Sequence, residues 1–157
     1  MTNKKIIFMG TPFIAAQHLN ILVKKNFNIV GVFTQPPRKK NRGMIAQESE
    51  VHKVAIKNNL ELFHPTSINE DVINKIKYLK PDLIIVVAYG IILPLDFLNI
   101  PKYGCINVHV SLLPRWRGAA PIEHSLLEGD LKTGISIIKI SSKLDAGDIL
   151  AQEILPI

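Results

Sequence analysis

Runs of apolar residues, separated by segments with helical spacing, divide this chain into alternating strands and helices. Residues 5–9 and 28–34 read as short strands. Residues 83–88, Leu-Ile-Ile-Val-Val-Ala, contain no polar position, the pattern of a strand buried on both faces of a parallel sheet. Between them, Ala15, Leu19, Leu22 and Val23 recur at helical spacing and predict a helix over 13–25, with Thr11 as its cap and Pro12 in its first position. Val51, Val54 and Ala55 predict a second helix over 49–59. Ser67-Ile68-Asn69-Glu70 reads as a capping box that opens a third, ending near Leu79. Residues 35–48, with Pro36, Pro37 and Gly43, read as a long loop. A brief extended piece is expected at 60–64, an apolar loop at 91–94 and a connector at 96–101. Strands are expected at 104–111, 133–140 and 148–154, a helix at 121–127, and a loop at 141–146.

Strand and helix therefore alternate, and an antiparallel pair closes the series. The fold class expected is α/β, a Rossmann-like open and mostly parallel sheet flanked by helices. Ligands of such sheets bind beyond the carboxyl ends of the strands. Four segments converge there: Gly10-Thr11-Pro12, Ala88-Tyr89-Gly90, the stretch 107–114 and the loop that ends at Asp145.

Composition narrows the picture. A chain of 157 residues, 47% hydrophobic, fits one domain with a substantial core. The net charge of +6 favours polyanionic partners. Cys105 is the sole cysteine, which excludes an internal disulfide and suits a reducing, cytoplasmic setting. Its bland reading is a small buried hydrophobe. No apolar run is long enough to span a membrane, so no membrane partner is expected. His18, His52, His64 and His124 stand at no metal-ligand spacing, and no metal is expected. Gly10-Thr11-Pro12 lacks the later glycines of a dinucleotide fingerprint.

The strand at 104–111 carries the chemistry. Cys105, Asn107, His109 and Ser111 alternate with Ile106, Val108 and Val110, so one face is polar and the other apolar. Asn107 and His109 stand two apart, roughly 7 Å between their Cα atoms. An amide and an imidazole so placed can donate to an oxygen that gains negative charge during acyl transfer. An imidazole needs an orienting partner, and Asp145 is the natural candidate. Taken alone, the same residues read equally as a satisfied strand-end amide, a buried histidine and a turn aspartate.

The continuous run from Asn107 through Ser111-Leu112-Leu113-Pro114-Arg115-Trp116-Arg117-Gly118-Ala119-Ala120-Pro121 resembles the signature of the folate-dependent formyltransferases. Its portion 114–121 is similar to that of members acting on methionyl-tRNA. Matching stretches at 7–12, 30–36, 86–94, 104–107 and 144–148 extend the resemblance over essentially the full length. It implies transfer of a formyl group from 10-formyltetrahydrofolate, as co-substrate, to the amino group of methionyl initiator tRNA. The catalytic residues it implies are Asn107, His109 and Asp145. For the folate it implies Ser111, Leu112, Leu113 and Pro114, with Val87, Ala88, Tyr89, Gly90 and Ile92 as the wall for the pterin. It also implies that 1–157 is an incomplete catalytic domain, with further catalytic sequence and a tRNA-binding β-barrel beyond. No obligate protein partner is expected.

Two basic segments remain. Arg38, Lys39, Lys40 and Arg42 read either as a solvated charge run or as an arm on tRNA phosphates, and the resemblance favours the arm. Glu48 and Glu50, just after, weaken the local positive field. Arg115 and Arg117 flank Trp116, either as solvent-facing arginines beside an anchoring indole or as tRNA contacts. The rivals are a formyltransferase for glycinamide ribonucleotide or an amino sugar, and a noncatalytic folate- or RNA-binding module.

Overall fold

The computed structural model describes residues 3–40 and 45–157. Its centre is a seven-stranded sheet. The first strand, β1 (Ile6–Gly10), has parallel neighbours on both sides, β2 (Ile29–Phe33) and β6 (Leu83–Val87). On one flank, β5 (Leu62–Phe63) pairs parallel with β2. On the other, β7 (Cys105–His109) pairs parallel with β6, and β8 (Lys132–Lys139) and β9 (Ile149–Pro156) follow antiparallel. This is the open, mostly parallel architecture that the alternating pattern predicts.

Helices cover both faces, which is why β1 is buried throughout. One face carries Phe8, Val32 and Val87 against Ala15, Ala16 and Leu19 of α1 (Phe13–Lys24) and Val51 and Ala55 of α2 (Glu50–Lys57). The opposite face carries Ile7, Met9, Phe33, Ile84, Val86 and Cys105. Over it lie Ile76 of α3 (Glu70–Leu79) and Phe97 and Leu98 of the short α4 (Leu95–Leu98). Leu19 exposes no surface, and truncating such a leucine to Ala costs about 2–5 kcal/mol. A last helix, α5 (Pro121–Leu127), leads into β8.

Local details depart from the sequence pattern. Thr11 does not cap α1: Pro12 is the cap residue, and Thr11 Oγ1 donates to the Tyr89 carbonyl at 3.0 Å. The parallel register of Gly10 opposite Val87 brings that carbonyl within reach. The third helix is capped by Asn69, whose side chain accepts from the Val72 N–H at 3.0 Å, and not by Ser67. Residues 35–48 are not all loop. Within them β3 (Arg38–Lys40) and β4 (Ile45–Gln47) form an antiparallel ribbon, Arg38 opposite Gln47. Pro36 and Pro37 precede the ribbon, so neither removes a ladder donor. The strand bearing the polar row ends at His109 and not at Ser111.

Candidate active site

Asn107 and His109 stand on the face of β7 shared with Cys105, and the loop after β8 carries Asp145 back over them. Asp145 Oδ1 accepts from Asn107 Nδ2 at 3.3 Å. Asp145 Oδ2 accepts from the Gly118 N–H at 2.9 Å and lies 3.6 Å from His109 Nδ1. The side chain of His109 is 6% exposed and that of Asp145 12%. Asn107 and His109, which alternation singles out, and Asp145, the partner expected for the imidazole, thus form one cluster at the carboxyl edge of the sheet.

The other imidazole nitrogen, His109 Nε2, lies 2.8 Å from the Trp116 carbonyl. A carbonyl only accepts, so Nε2 carries a proton. Trp116 (φ 60°), Gly118 (φ 89°) and Ala120 (φ 55°) all lie in the left-handed region, a rare conformation for the two that bear a Cβ. The chain holds this loop down firmly. Arg115 donates twice to Asp130, at 3.0 and 2.8 Å, and its guanidinium lies 4.2 Å over the Trp116 ring. Trp116 Nε1 donates to the same carboxylate at 2.7 Å, and the indole stacks on His124. Hydrogen bonds from Arg115, then from Trp116, hold the Asp130 carboxyl below its usual range. Arg115 is thus tied to Asp130 and Trp116 while its side chain stays 55% exposed, and Arg117 is exposed as well. Arg38 is exposed on the ribbon, with Lys39 and Lys40 in the same strand, and Arg42 lies outside the described residues. Glu48 lies 3.2 Å from His52 Nε2, and Glu50 pairs with Lys53.

Ser111 is fully buried, and its hydroxyl donates to the Arg115 carbonyl at 2.7 Å. Leu113 is buried and Leu112 half-buried, whereas Pro114, joined by a cis bond, is exposed. Two residues absent from the sequence reading hold this stretch. Ser136 Oγ donates to the Ser111 carbonyl at 2.6 Å and accepts from the Leu113 N–H at 3.1 Å. Gln152 Nε2 donates to that hydroxyl at 2.9 Å and to the Leu113 carbonyl at 3.0 Å. A serine placed between Ile135 and Ile137 on a core strand is the signal that could have found the first of them.

Of the wall 87–92, Val87 and Tyr89 turn inward and Ala88, Gly90 and Ile92 outward. The Tyr89 ring packs in the core. Burial pushes its phenol pKa up, and Oη finds no hydrogen-bond partner among the described residues. Ile92 is 92% and Leu144 74% exposed. Exposed apolar side chains and accessible backbone at a strand end suit a flat heteroaromatic ring. Burial likewise pushes the Cys105 thiol up to about 12. Among the described residues no three His, Cys, Asp or Glu side chains gather as metal ligands, and no helix is long and apolar enough to cross a membrane.

The chain has known relatives in sequence and in fold. Methionyl-tRNA formyltransferase of Francisella tularensis subsp. mediasiatica is 53% identical over 152 residues, covering 96% of this chain and 49% of that protein. The chain spans about half the length of the curated relatives it matches. Phosphoribosylglycinamide formyltransferase from Bacillus halodurans superimposes with a TM-score of 0.79 at 19% identity, over 98% of this chain and 80% of that one. A sugar 3N-formyl transferase, crystallised in the presence of dTDP and 5-N-formyl-THF, superimposes with a TM-score of 0.68 at 22% identity, over 100% of this chain and 53% of that one. At such identities the structural likeness speaks for the fold. The family model for formyl transferase matches residues 4–157, and with the 53% identity it settles the kinship: this chain belongs to the formyl transferase family.

Proposed function

We propose that this chain is the catalytic portion of an enzyme that formylates methionyl initiator tRNA, with 10-formyltetrahydrofolate as the donor. The observation that carries the reading is the convergence of Asn107, His109 and Asp145 in a chain 53% identical to methionyl-tRNA formyltransferase. When bound, the folate supplies the formyl group. Asn107 gives one amide hydrogen to Asp145 and keeps the second for the formyl oxygen as that oxygen gains charge. His109 Nε2 is the second donor, and the formyl oxygen takes the place of the Trp116 carbonyl there. Asp145 orients His109 and helps to carry the attacking amine's proton toward the leaving nitrogen. Ala88, Gly90 and Ile92 offer backbone groups and an apolar lip to the pterin, and the Ser111–Pro114 stretch completes the folate site.

On this reading Arg38, Lys39 and Lys40 of the ribbon, together with Arg42, meet tRNA phosphates, and Arg117 adds a further cation. Residues 1–157 then belong to the catalytic domain of a cytoplasmic enzyme. The test is formyl transfer by this chain, and by a longer one, to methionyl-tRNA, glycinamide ribonucleotide and amino-sugar nucleotides. Preference for methionyl-tRNA supports the proposal. Preference for either small amine overturns the substrate, and folate or RNA binding without transfer by both chains overturns the catalytic role.

A further inference from the structure

In the sheet, β1 stands between β2 and β6, so the turns that leave β2 and β6 are separated by the end of β1. Gln35, two residues past β2, bridges that gap. Its Nε2 donates to the Tyr89 carbonyl at 2.9 Å. Its backbone N–H points to Thr11 Oγ1 at 3.4 Å, and Thr11 Oγ1 donates to the same Tyr89 carbonyl at 3.0 Å. Three strand exits are thereby closed into one ring of hydrogen bonds, and both lone pairs of one carbonyl are taken.

The turn so held needs holding. Ala88 (φ 45°) and Gly90 (φ 79°) both lie in the left-handed region, and Ala88 carries a Cβ there. A Cβ on Gly90 would run into Gln35 Nε2, the end of the side chain that holds the turn. Thr34 and Ser49, joined at 2.7 Å, brace the neighbouring residue from the side of α2.

We propose that Gln35 is a positioning residue for the folate site: with Thr11 it fixes the Ala88-Tyr89-Gly90 turn against which the pterin lies. The inference rests on the folate reading of that turn. Gln35 touches no reacting atom, so its effect falls on folate binding and not on the chemical step. Only Pro36 and Pro37 separate it from β3, so the ribbon and the folate wall share this anchor.

The experiment titrates 5-formyltetrahydrofolate into the wild-type chain and into Gln35→Ala and Gln35→Glu by calorimetry, with backbone order at Ala88–Gly90 followed by NMR relaxation. Losing this one hydrogen bond should weaken folate binding by about 3- to 10-fold. In the longer, active chain KM for the folate should rise by a similar factor while kcat holds. Gln35→Glu should bind as weakly as Gln35→Ala at neutral pH, where a carboxylate cannot donate to a carbonyl. Relative to wild type it should recover as falling pH protonates it. Equal affinity of wild type and Gln35→Ala overturns the inference, as does a Gln35→Glu curve parallel to wild type. A wild-type chain that binds no folate overturns the folate reading itself. The hold on the turn is then judged by NMR relaxation alone: lower backbone order in Gln35→Ala upholds it, and unchanged order overturns it.

Discussion

Asn107 and Asp145, 38 residues apart in sequence, meet at 3.3 Å, and the second oxygen of Asp145 anchors the Gly118 N–H at 2.9 Å. One carboxylate therefore ties a strand, the loop that follows it and a later turn into a single cluster.

Asp145→Asn should separate charge from position. Asparagine tolerates the left-handed backbone that Asp145 adopts (φ 44°), so the fold should survive. One amide oxygen cannot serve Asn107 and Gly118 as two carboxylate oxygens do, and the charge facing His109 is lost. Turnover should fall by at least about 100-fold. Single-turnover formyl transfer with a longer chain measures this, and near-normal rates would remove Asp145 from the mechanism.

Replacing His109 by Ala should lower kcat by about 100- to 1,000-fold, the usual cost of losing one donor to a developing oxyanion. Folate affinity should change little, because the imidazole faces Asp145 and Trp116 and not the 87–92 wall. Parallel calorimetry and kinetics distinguish the two effects. Retained turnover would refute the assigned role.

Cys105 should be inert. With its thiol pushed up to about 12 by burial, almost no thiolate exists at pH 8. Labelling by a thiol reagent should therefore track unfolding, and Cys105→Ala should leave transfer intact. Rapid labelling of the folded chain would contradict both the burial and its chemical consequence.

His64 gives the fold a dependence on mild acid. Burial first, and then the neighbouring His52, hold its imidazole below the ordinary value of 6.5. The folded state thus binds fewer protons than the unfolded one in that range. Its contribution is complete above pH 6.5 and is lost as pH falls through the lowered folded value. Melting temperature should decline from pH 7 to 5, and His64→Gln, which can still donate to His52 Nδ1, should flatten the decline. A slope unchanged in that variant would assign the dependence elsewhere.

The basic ribbon makes a different prediction. Arg38→Ala and Arg42→Ala should raise KM for methionyl-tRNA without altering folate binding. Each lost phosphate contact should lower the salt slope of binding by about 1. Equal activity of Arg42→Ala at limiting methionyl-tRNA would sink the proposed contact.

Much of the fold was legible because its cause is local. Apolar runs mark β1 and β6, helical spacing marks α1 and a cap-like start marks α3, all without reference to any partner, and the polar row on β7 follows from alternation alone. What escaped depends on encounters across the chain. Thr11 looks like a cap until Tyr89 is beside it, and Arg115 looks free until Asp130 meets it. The ribbon was hidden because its strands are short and pair only with each other. Asn107, His109 and Asp145 were readable as a set through the family signature. Ser136 leaves only a faint local trace, a polar residue between two isoleucines, and the roles of Gln152 and Gln35 emerge only from the carbonyls they reach.

Trp116, the sole tryptophan, stacks on His124, bonds to Asp130 through its indole, and occupies His109 through its own carbonyl. Native fluorescence is therefore a built-in reporter of the segment that, in the proposed mechanism, yields when the formyl oxygen claims that imidazole. Stopped-flow emission, with no label attached, can time that exchange against formyl transfer.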